Sequence, residues 1–244
     1  MIRVFLGNLG SGKSACAVKE IIDSESNRKT YTNLNTNNVK NAVFIKPSDI
    51  IQIIPNPKDK KKELFQLNIK YWKKQKKPLN VLWDEIHLTA NSRKSTSKVN
   101  MVLSQFMAMA RRITGFDKRG YGHFTFIAQK ERTIDVNIRE LCNEIIYHIS
   151  YWRITCNDCG KFVYWTSEKQ QLEQCLNCGS WDIFKDDVYV LRLFFNKWEN
   201  YYRYTEGEQG RFHFKRQFVY DIEDYFQYYD TMQISNVWDS YVTR

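Results

Sequence analysis

Long apolar runs, glycine and proline are all scarce in this chain of 244 residues, and each scarcity excludes a class of protein. No run of about 18 apolar residues occurs, which argues against a membrane-spanning helix. With 10 glycines and 4 prolines, the chain is neither collagen-like nor a low-complexity disordered protein. The apolar stretch at residues 1–6 is too short for a signal peptide, which predicts a protein of the cytosol.

The composition fits a folded, basic protein. Hydrophobic residues make up 43% of the chain and aromatic residues 15%, which is enough for a packed core. The length predicts one large domain, or one domain with a small module. The 37 basic residues against 27 acidic ones give a formal net charge of +10. This charge suggests a polyanionic partner, most often nucleic acid, although many ordinary enzymes are also basic.

Short apolar runs alternate with segments of helical periodicity over the first 150 residues. The predicted strands include Ile2–Leu6, Leu79–Trp83 and His123–Ala128, and a helix is predicted over Val102–Ile113. The alternation predicts an α/β fold with a mainly parallel sheet flanked by helices. The character of the chain then changes, so we expect a core over 1–150, a cysteine-bearing module over 151–187, and β-rich strands or a strap over 188–244 that packs on the core.

Residues 55–78 carry nine lysines. The segment Glu63–Lys77 predicts an amphipathic helix with Leu64, Leu67 and Tyr71 facing inward. Its lysines form either a solvated face or a surface that contacts phosphates.

A glycine-rich loop follows the first predicted strand and opens the first predicted helix. It fits the P-loop (Walker A) pattern G-x-x-x-x-G-K-S/T without a mismatch. Glycines let backbone N–H groups converge on phosphates, the lysine neutralises the β- and γ-phosphates, and the last hydroxyl binds Mg²⁺. The predicted ATP contacts are Gly7, Asn8, Leu9, Gly10, Ser11, Gly12, Lys13 and Ser14.

An adjacent pair of acids ends the strand Leu79–Trp83. Asp84 is placed to hold Mg²⁺ together with Ser14, and Glu85 to polarise the water that attacks the γ-phosphate. The pair favours ATP hydrolysis over simple nucleotide binding.

Four of the six cysteines form two Cys-x-x-Cys pairs, Cys156/Cys159 and Cys175/Cys178, with 15 residues between the pairs. This spacing predicts a structural Zn²⁺ site, a zinc ribbon of four thiolates, with a redox dithiol as the alternative. The site would stabilise a module too small for its own core. It would also carry basic and aromatic residues suited to DNA or to a protein partner. Those residues are Lys161, Tyr164, Trp165, Lys169 and Trp181. The remaining two cysteines, Cys16 and Cys142, are expected to be buried and inert.

Five segments together resemble the zonula occludens toxin-like branch of the FtsK/HerA P-loop ATPases, a superfamily that includes DNA translocases and viral genome-packaging ATPases. The segments are Val4–Ser14, Tyr31–Asn33, Leu82–Glu85, Phe126–Gln129 and Ile134–Arg139, and the resemblance covers about residues 2–148. It implies that Gln129 is a polar sensor that touches the γ-phosphate and the attacking water.

The resemblance also implies a homo-oligomeric ring in which an arginine of one subunit completes the site of its neighbour. A guanidinium supplied in trans would stabilise the charge of the transition state. The arginines in the matching region are Arg111, Arg112 and Arg119, of which Arg112 and Arg119 rank first.

The family resemblance implies an ATP-hydrolysing translocase of double-stranded DNA that packages viral genomes in the host cytoplasm or in association with the virion. A viral capsid or membrane protein is the expected protein partner. One alternative is an ATPase for phage assembly and extrusion, although such proteins generally continue into a transmembrane segment that this sequence lacks. Another is a non-motor nucleotide switch with a zinc-ribbon binding module. The expected DNA contacts are Arg93, Lys94 and Lys98, with the lysine-rich helix over residues 60–77 as the other candidate.

Overall fold

The computed structural model describes residues 1–24, 28–57, 59–85, 98–118, 120–169 and 172–229. Within these ranges the strands are β1 Ile2–Leu6, β2 Thr30–Thr32, β3 Ala42–Phe44, β4 Ile51–Asn56, β5 Asp59–Leu67, β6 Asn80–Trp83, β7 Phe116–Asp117, β8 Gly120–Tyr121, β9 Phe124–Ile127, β10 Glu144–Cys156, β11 Phe162–Thr166, β12 Ile183–Phe195 and β13 Lys215–Val219. The helices are α1 Lys13–Asp23, α2 Pro47–Ile50, α3 Ile69–Lys74, α4 Lys98–Ala108, α5 Ala110–Thr114, α6 Val136–Glu140 and α7 Trp198–Thr205, with 3₁₀ segments at Glu131–Thr133 and Ile222–Tyr228.

One nine-stranded sheet organises the chain. Its order is β13-β12-β10-β1-β9-β6-β2-β3, and β11 pairs with β10 beside this path. All neighbours from β10 to β3 are parallel, whereas β11, β12 and β13 are joined by antiparallel pairing. The prediction of an α/β fold with a mainly parallel sheet is confirmed.

Both faces of the sheet are covered, which explains why its central strands are apolar without alternation. On β1, Val4 and Leu6 pack into the cluster that contains Trp72 of α3 and Phe106 of α4. Phe5 points to the other face, where the buried residues of α1 form a second cluster with the segment Ile222–Tyr228.

The parallel strands bring the important loops to one edge. The carboxyl ends of β1, β9, β6 and β2 all point in the same direction, because these strands are parallel neighbours. Gly7, Asp84 and Asn33 directly follow β1, β6 and β2, and Gln129 is the second residue after β9. In open α/β sheets this edge is where ligands bind.

The prediction of a single helix over Glu63–Lys77 is wrong. Residues up to Leu67 belong to β5, which pairs antiparallel with β4 and places Phe65 opposite Ile53. The helix α3 begins only after Asn68, whose side-chain oxygen accepts a hydrogen bond from the N–H of Tyr71 at 3.2 Å. The lysine-rich region is therefore a hairpin strand followed by a short helix, and Leu64 is exposed.

Two further boundaries differ from the expected ones. The helix predicted over Val102–Ile113 is divided into α4 and α5, with Met109 capping the second helix. Strand β10 has 13 residues and continues through positions 150 and 151, where the core and the cysteine-bearing module were expected to separate. The division into three regions remains a prediction.

The longest described helices, α1 and α4, have 11 residues each. None of the described helices has the length and apolar character needed to cross a bilayer.

Candidate nucleotide and metal sites

The glycine-rich loop curls tightly between β1 and α1. Gly12 has φ 82, a left-handed conformation that disfavours any other residue. A Cβ atom at Gly12 would lie 2.5 Å from Cγ2 of Val190, a distance that only a rearrangement could relieve. The loop therefore needs glycine here both for its conformation and for its close approach to β12.

The side chain of Lys13 folds back into the loop. Its Nζ donates hydrogen bonds to the carbonyl oxygens of Gly7 and Asn8, each at 2.8 Å, and to Oγ of Ser11 at 3.3 Å. Burial lowers the pKa of Lys13 to about 8, although the nearby acids Glu85 and Asp84 raise it. The ammonium group thus lies where the loop would enclose phosphates.

Ser14 and Asp84 meet across the edge of the sheet. Oγ of Ser14 donates a hydrogen bond to Oδ2 of Asp84 at 3.2 Å. Burial, reinforced by the charge of Glu85, raises the pKa of Asp84 to about 6. A hydroxyl and a half-buried carboxylate this close together form the kind of oxygen donor set that suits Mg²⁺, so these residues fit the predicted ion.

Asn33 holds the backbone of Asp84 from the neighbouring strand. The N–H of Asp84 donates to Oδ1 of Asn33 at 2.7 Å, and Nδ2 of Asn33 donates to the carbonyl oxygen of Asp84 at 2.9 Å. The motif around Asn33 contributes to the family resemblance, but the sequence alone assigned this residue no role. Its position directly after β2, like that of Gln129 after β9, is the signal that could have identified it.

Glu85 adopts φ 50, which is unusual for a residue other than glycine. Its N–H donates to Oδ1 of Asp84 at 2.9 Å, so the carboxylate of Asp84 stabilises the turn. Strained backbone of this kind concentrates at functional sites, and here it occurs at the predicted catalytic base.

Gln129 follows β9, the strand inserted between β1 and β6. Ile127 is in register with Phe5, and the N–H of Ala128 donates to the carbonyl oxygen of Phe5 at 3.0 Å. The next residue, Gln129, is half-buried at the edge between the glycine-rich loop and the acid pair. Its assignment as a sensor stays a prediction.

Arg112 lies far from the glycine-rich loop of its own chain. It is exposed on α5, whose last residue, Thr114, accepts a hydrogen bond at 2.8 Å from the N–H of Leu79, just before β6. Asp84 follows the other end of β6, so Arg112 belongs to the opposite edge of the sheet. The role of Arg112 in a neighbouring subunit's site stays a prediction, and Arg119 lies outside the described residues.

The four predicted cysteine ligands converge. All four Sγ atoms lie within 4.8 Å of one another, with 3.6 Å between Cys156 and Cys178 and 3.6 Å between Cys159 and Cys175. A tetrahedral zinc–thiolate site with bonds of about 2.3 Å has sulfur–sulfur edges of about 3.8 Å. The cluster therefore fits a four-thiolate metal site.

The two Cys-x-x-Cys turns have the same backbone geometry. The N–H of Gly160 donates to the carbonyl oxygen of Cys156 at 3.0 Å, and that of Gly179 donates to Cys175 at 2.9 Å. Hydrogen bonds from the backbone N–H groups of Cys178 and Asn177 lower the pKa of Cys175, whereas the pKa of Cys178, which shares the cluster, is raised.

The other two cysteines lie away from this cluster. Burial raises the pKa of Cys16 to about 12 and also raises that of Cys142, which keeps both as thiols.

Basic and aromatic residues surround the cluster. Nζ of Lys169 lies 4.8 Å from the ring centroid of Trp165. Tyr164 and Trp181 are 52% and 67% exposed.

The two surfaces predicted to contact DNA are neighbours. Arg93 and Lys94 lie outside the described residues, whereas Lys98 is the exposed first residue of α4. Its Nζ lies 5.5 Å from the ring centroid of Phe65 on the lysine-rich strand β5. Lys98 is therefore close to the strand that carries part of the lysine-rich segment.

Comparisons with known proteins agree with the motifs. The family model described as zonular occludens toxin (Zot) matches residues 1–162. No curated protein matches the chain.

Among solved structures, the N-terminal domain of zonular occludens toxin from Neisseria meningitidis is similar, with a TM-score of 0.48 and 16% identity over 94% of this chain and 98% of that one. The genome packaging NTPase B204 from Sulfolobus turreted icosahedral virus 2, in complex with ATP-gammaS, has a TM-score of 0.36 and 10% identity over 60% of this chain and 74% of that one. Its complex with sulfate has a TM-score of 0.35 and 14% identity over 60% and 72% of the two chains.

Proposed function

This chain belongs to the zonular occludens toxin (Zot) family, and from that premise we propose that it is a P-loop ATPase that hydrolyses ATP to move DNA. The observation that carries the proposal is the meeting of Ser14 and Asp84 at 3.2 Å, beside Lys13 and at the same sheet edge as Gln129. This arrangement combines a phosphate cradle, an oxygen donor set and candidate water-activating groups.

Different residues of the chain would bind the phosphates, hold Mg²⁺ and activate the attacking water. The loop N–H groups and the N-terminus of α1 would bind the phosphates, and Lys13 would exchange its carbonyl partners for phosphate oxygens. Ser14 and Asp84 would hold Mg²⁺, which neutralises phosphate charge when bound. Glu85 would accept a proton from the attacking water, which Gln129 would orient.

Coupling to DNA is the finer part of the proposal. The net charge of +10, the exposed Lys98 and the exposed lysines of α3 suit a partner bound through phosphates without regard to sequence. The exposed position of Arg112 at the far edge of the sheet suits a homo-oligomeric ring in which it completes the neighbouring subunit's site. We assign the motor to viral genome packaging, with a capsid or membrane protein as partner.

A second candidate function is phage assembly or extrusion, which the match to the Zot family model favours. A non-motor nucleotide switch is the third candidate. The acid pair and Gln129 argue against it, because a switch does not need a full hydrolytic set.

The cysteine cluster is proposed to hold one structural Zn²⁺. Its sulfur–sulfur distances of 3.6 Å approach those of a zinc tetrahedron, and four thiolates leave no open position for catalysis.

The test is the rate of ATP hydrolysis with and without double-stranded DNA, in parallel with single-stranded DNA. A translocase should be stimulated severalfold by double-stranded DNA. A slow ATPase rate that does not change when DNA is added would favour phage extrusion or a nucleotide switch. It would contradict the proposal that the protein moves DNA.

Matched charge variants locate the DNA surface. Replacing Arg93, Lys94 and Lys98 with alanine should remove the DNA stimulation and leave the basal rate near normal. The control replaces Lys70, Lys73 and Lys74 of α3, which removes the same charge. Loss of stimulation in the control alone would place the DNA on α3 instead.

A further inference from the structure

We propose that Ser150 and Ser167 position the phosphate loop, and that metal in the cysteine cluster and nucleotide in the loop thereby strengthen each other's binding. The two serines lie at the base of the segment from residue 150 to residue 167, which we call the cysteine hairpin because Cys156 and Cys159 lie at its tip. The inference rests on the proposed function of the loop as a nucleotide site.

The base of the cysteine hairpin is hydrogen-bonded to the loop at two points. Oγ of Ser150 donates to the carbonyl oxygen of Gly10 at 2.8 Å. Nδ2 of Asn8 donates to the carbonyl oxygen of Ser167 at 3.0 Å. The loop is therefore tied on both sides of Leu9 to residues that are more than 130 positions away in the sequence.

The bond from Ser150 adds a second restraint to the peptide between Gly10 and Ser11, whose N–H already donates to the carbonyl oxygen of Asn8 at 3.1 Å. Gly10 has φ 74, and a Cβ atom there would meet nothing within 4 Å. Rotation of the peptide between Gly10 and Ser11 would turn a carbonyl oxygen toward the phosphates and repel them. The hydroxyl of Ser150, which is 2% exposed, holds that carbonyl away from the phosphate side.

Ser150 is in turn held by Ser167. The N–H of Ser150 donates to Oγ of Ser167 at 3.1 Å, and the N–H of Ser167 donates to the carbonyl oxygen of Ser150 at 3.0 Å. This reciprocal pair exists only in the observed register, in which Tyr151 lies opposite Thr166. A slip of one residue between β10 and β11 would break it.

The cysteine cluster pins that register from the other end. Cys156 ends β10, and Cys159 lies in the turn before β11, so a metal bound to both would prevent a slip. The distance along the strand from Cys156 to Ser150 is about 20 Å. Metal binding would therefore act on the loop through strand register rather than through direct contact.

A second strand leaving the cluster also touches the loop. Strand β12 begins shortly after Cys178, and its Val190 is the residue that packs against Gly12. Strand β10, which leads into the cysteine cluster, and strand β12, which follows it, thus both contact the phosphate loop. Because coupling free energy is reciprocal, bound nucleotide should also slow the loss of metal.

The experiment measures the affinity of the zinc-loaded chain, residues 1–244, for a fluorescent ATP analogue, together with kcat and KM for ATP. For Ser150→Ala we expect Kd and KM to rise about fivefold to tenfold, which corresponds to one lost hydrogen bond, with kcat within about twofold of wild type. Ser167→Ala, at a half-buried position, should shift Kd in the same direction. The control Thr155→Val removes a hydroxyl from the same strand, away from the loop, and should leave Kd unchanged.

Removal of zinc tests whether the cysteine cluster and the nucleotide site are coupled. Removing zinc with a chelator should weaken nucleotide binding in the wild type and much less in Ser150→Ala, since the two perturbations act through the same path. Bound nucleotide should slow zinc loss to the chelator. Unchanged Kd in Ser150→Ala and in the zinc-free wild type, while Lys13→Ala abolishes binding, would overturn this inference and leave the proposed ATPase intact. Absence of ATP binding to the wild type would overturn both.

Discussion

Asn33 and Asp84 are joined by two reciprocal hydrogen bonds, at 2.7 and 2.9 Å, between a side-chain amide and a backbone peptide group. The pair connects the end of β2 to the end of β6, and it sets the position of the acid that faces Ser14. Asn33 is 8% exposed, so water cannot easily replace its amide. Asn33 is thus a positioning residue for the acid pair.

Replacing Asn33 with alanine should lower both stability and catalysis. Two partly buried backbone groups would lose their partners, so we expect the free energy of unfolding to fall by about 1–3 kcal/mol, measured by denaturant titration. The ATPase kcat should fall about tenfold or more, because Asp84 and Glu85 shift together. The control is Asn41→Ala, which removes an amide bonded to the carbonyl oxygen of Ser24 at 3.1 Å, away from the site. Equal kcat in both variants would contradict the positioning role.

The pH dependence of nucleotide binding should reveal the environment of Lys13. Burial lowers its pKa to about 8 in the nucleotide-free protein, so the ammonium group loses its proton above that pH. The protonated form is the one that neutralises phosphate. Affinity for ATP should therefore fall by roughly fivefold to tenfold per pH unit above 8. A lysine with its ordinary pKa near 10.5 would keep the affinity constant to about pH 10, and a flat profile up to pH 9.5 would refute this account.

Elemental analysis should find one zinc per chain. Cys159→Ser should lose the metal, and a chelator should have the same effect on the wild type. Structural zinc contributes about 10–16 kcal/mol in finger peptides, against about 5–15 kcal/mol for the net stability of a domain. Loss of metal should therefore unfold the module and lower Tm. Cys142→Ala, at a cysteine outside the cluster, should keep its zinc, and finding iron or no metal in the wild type would contradict the assignment.

Mixing two inactive variants should test whether Arg112 acts on a neighbouring subunit. Arg112→Ala keeps its own Glu85, and Glu85→Gln keeps its own Arg112. In a ring mixed in equal amounts, about one quarter of the interfaces would combine an intact Glu85 with an intact Arg112. The mixture should recover a matching share of the ATPase rate. Arg111→Ala, on the same helix beside Tyr121, should be active alone, and no recovery in the mixture would rule out Arg112.

The local parts of the site were predictable from the sequence because each is a short motif on a simple element. The glycine-rich loop and the acid pair both follow strongly apolar strands, and parallel pairing brings strand ends to one edge. The cysteine spacing predicted the cluster for a similar reason. The convergence of four thiols at two short turns can be predicted from their spacing, without knowledge of the rest of the fold.

The contacts between distant segments were not predictable. Residues Asp59–Leu67 contain good helix formers, but pairing with β4 makes them a strand, since Phe65 lies opposite Ile53 and Leu67 opposite Ile51. Asn68, the N-cap residue of α3, was a signal for a helix start that the predicted helix over Glu63–Lys77 did not take into account. Ser150 and Ser167 carry no sequence signal, because their role depends on the register between β10 and β11 and on the distant glycine-rich loop.

The most direct test of the central claim is phosphate release from Mg-ATP by the wild type, Lys13→Ala and Glu85→Gln, with ATP binding measured in parallel. The account predicts turnover by the wild type, loss of both binding and turnover in Lys13→Ala, and retained binding with turnover reduced about 100-fold or more in Glu85→Gln. Hydrolysis at the wild-type rate by Lys13→Ala would contradict the assignment of the phosphate loop, and absence of turnover by the wild type would contradict the proposal that this chain is an ATPase.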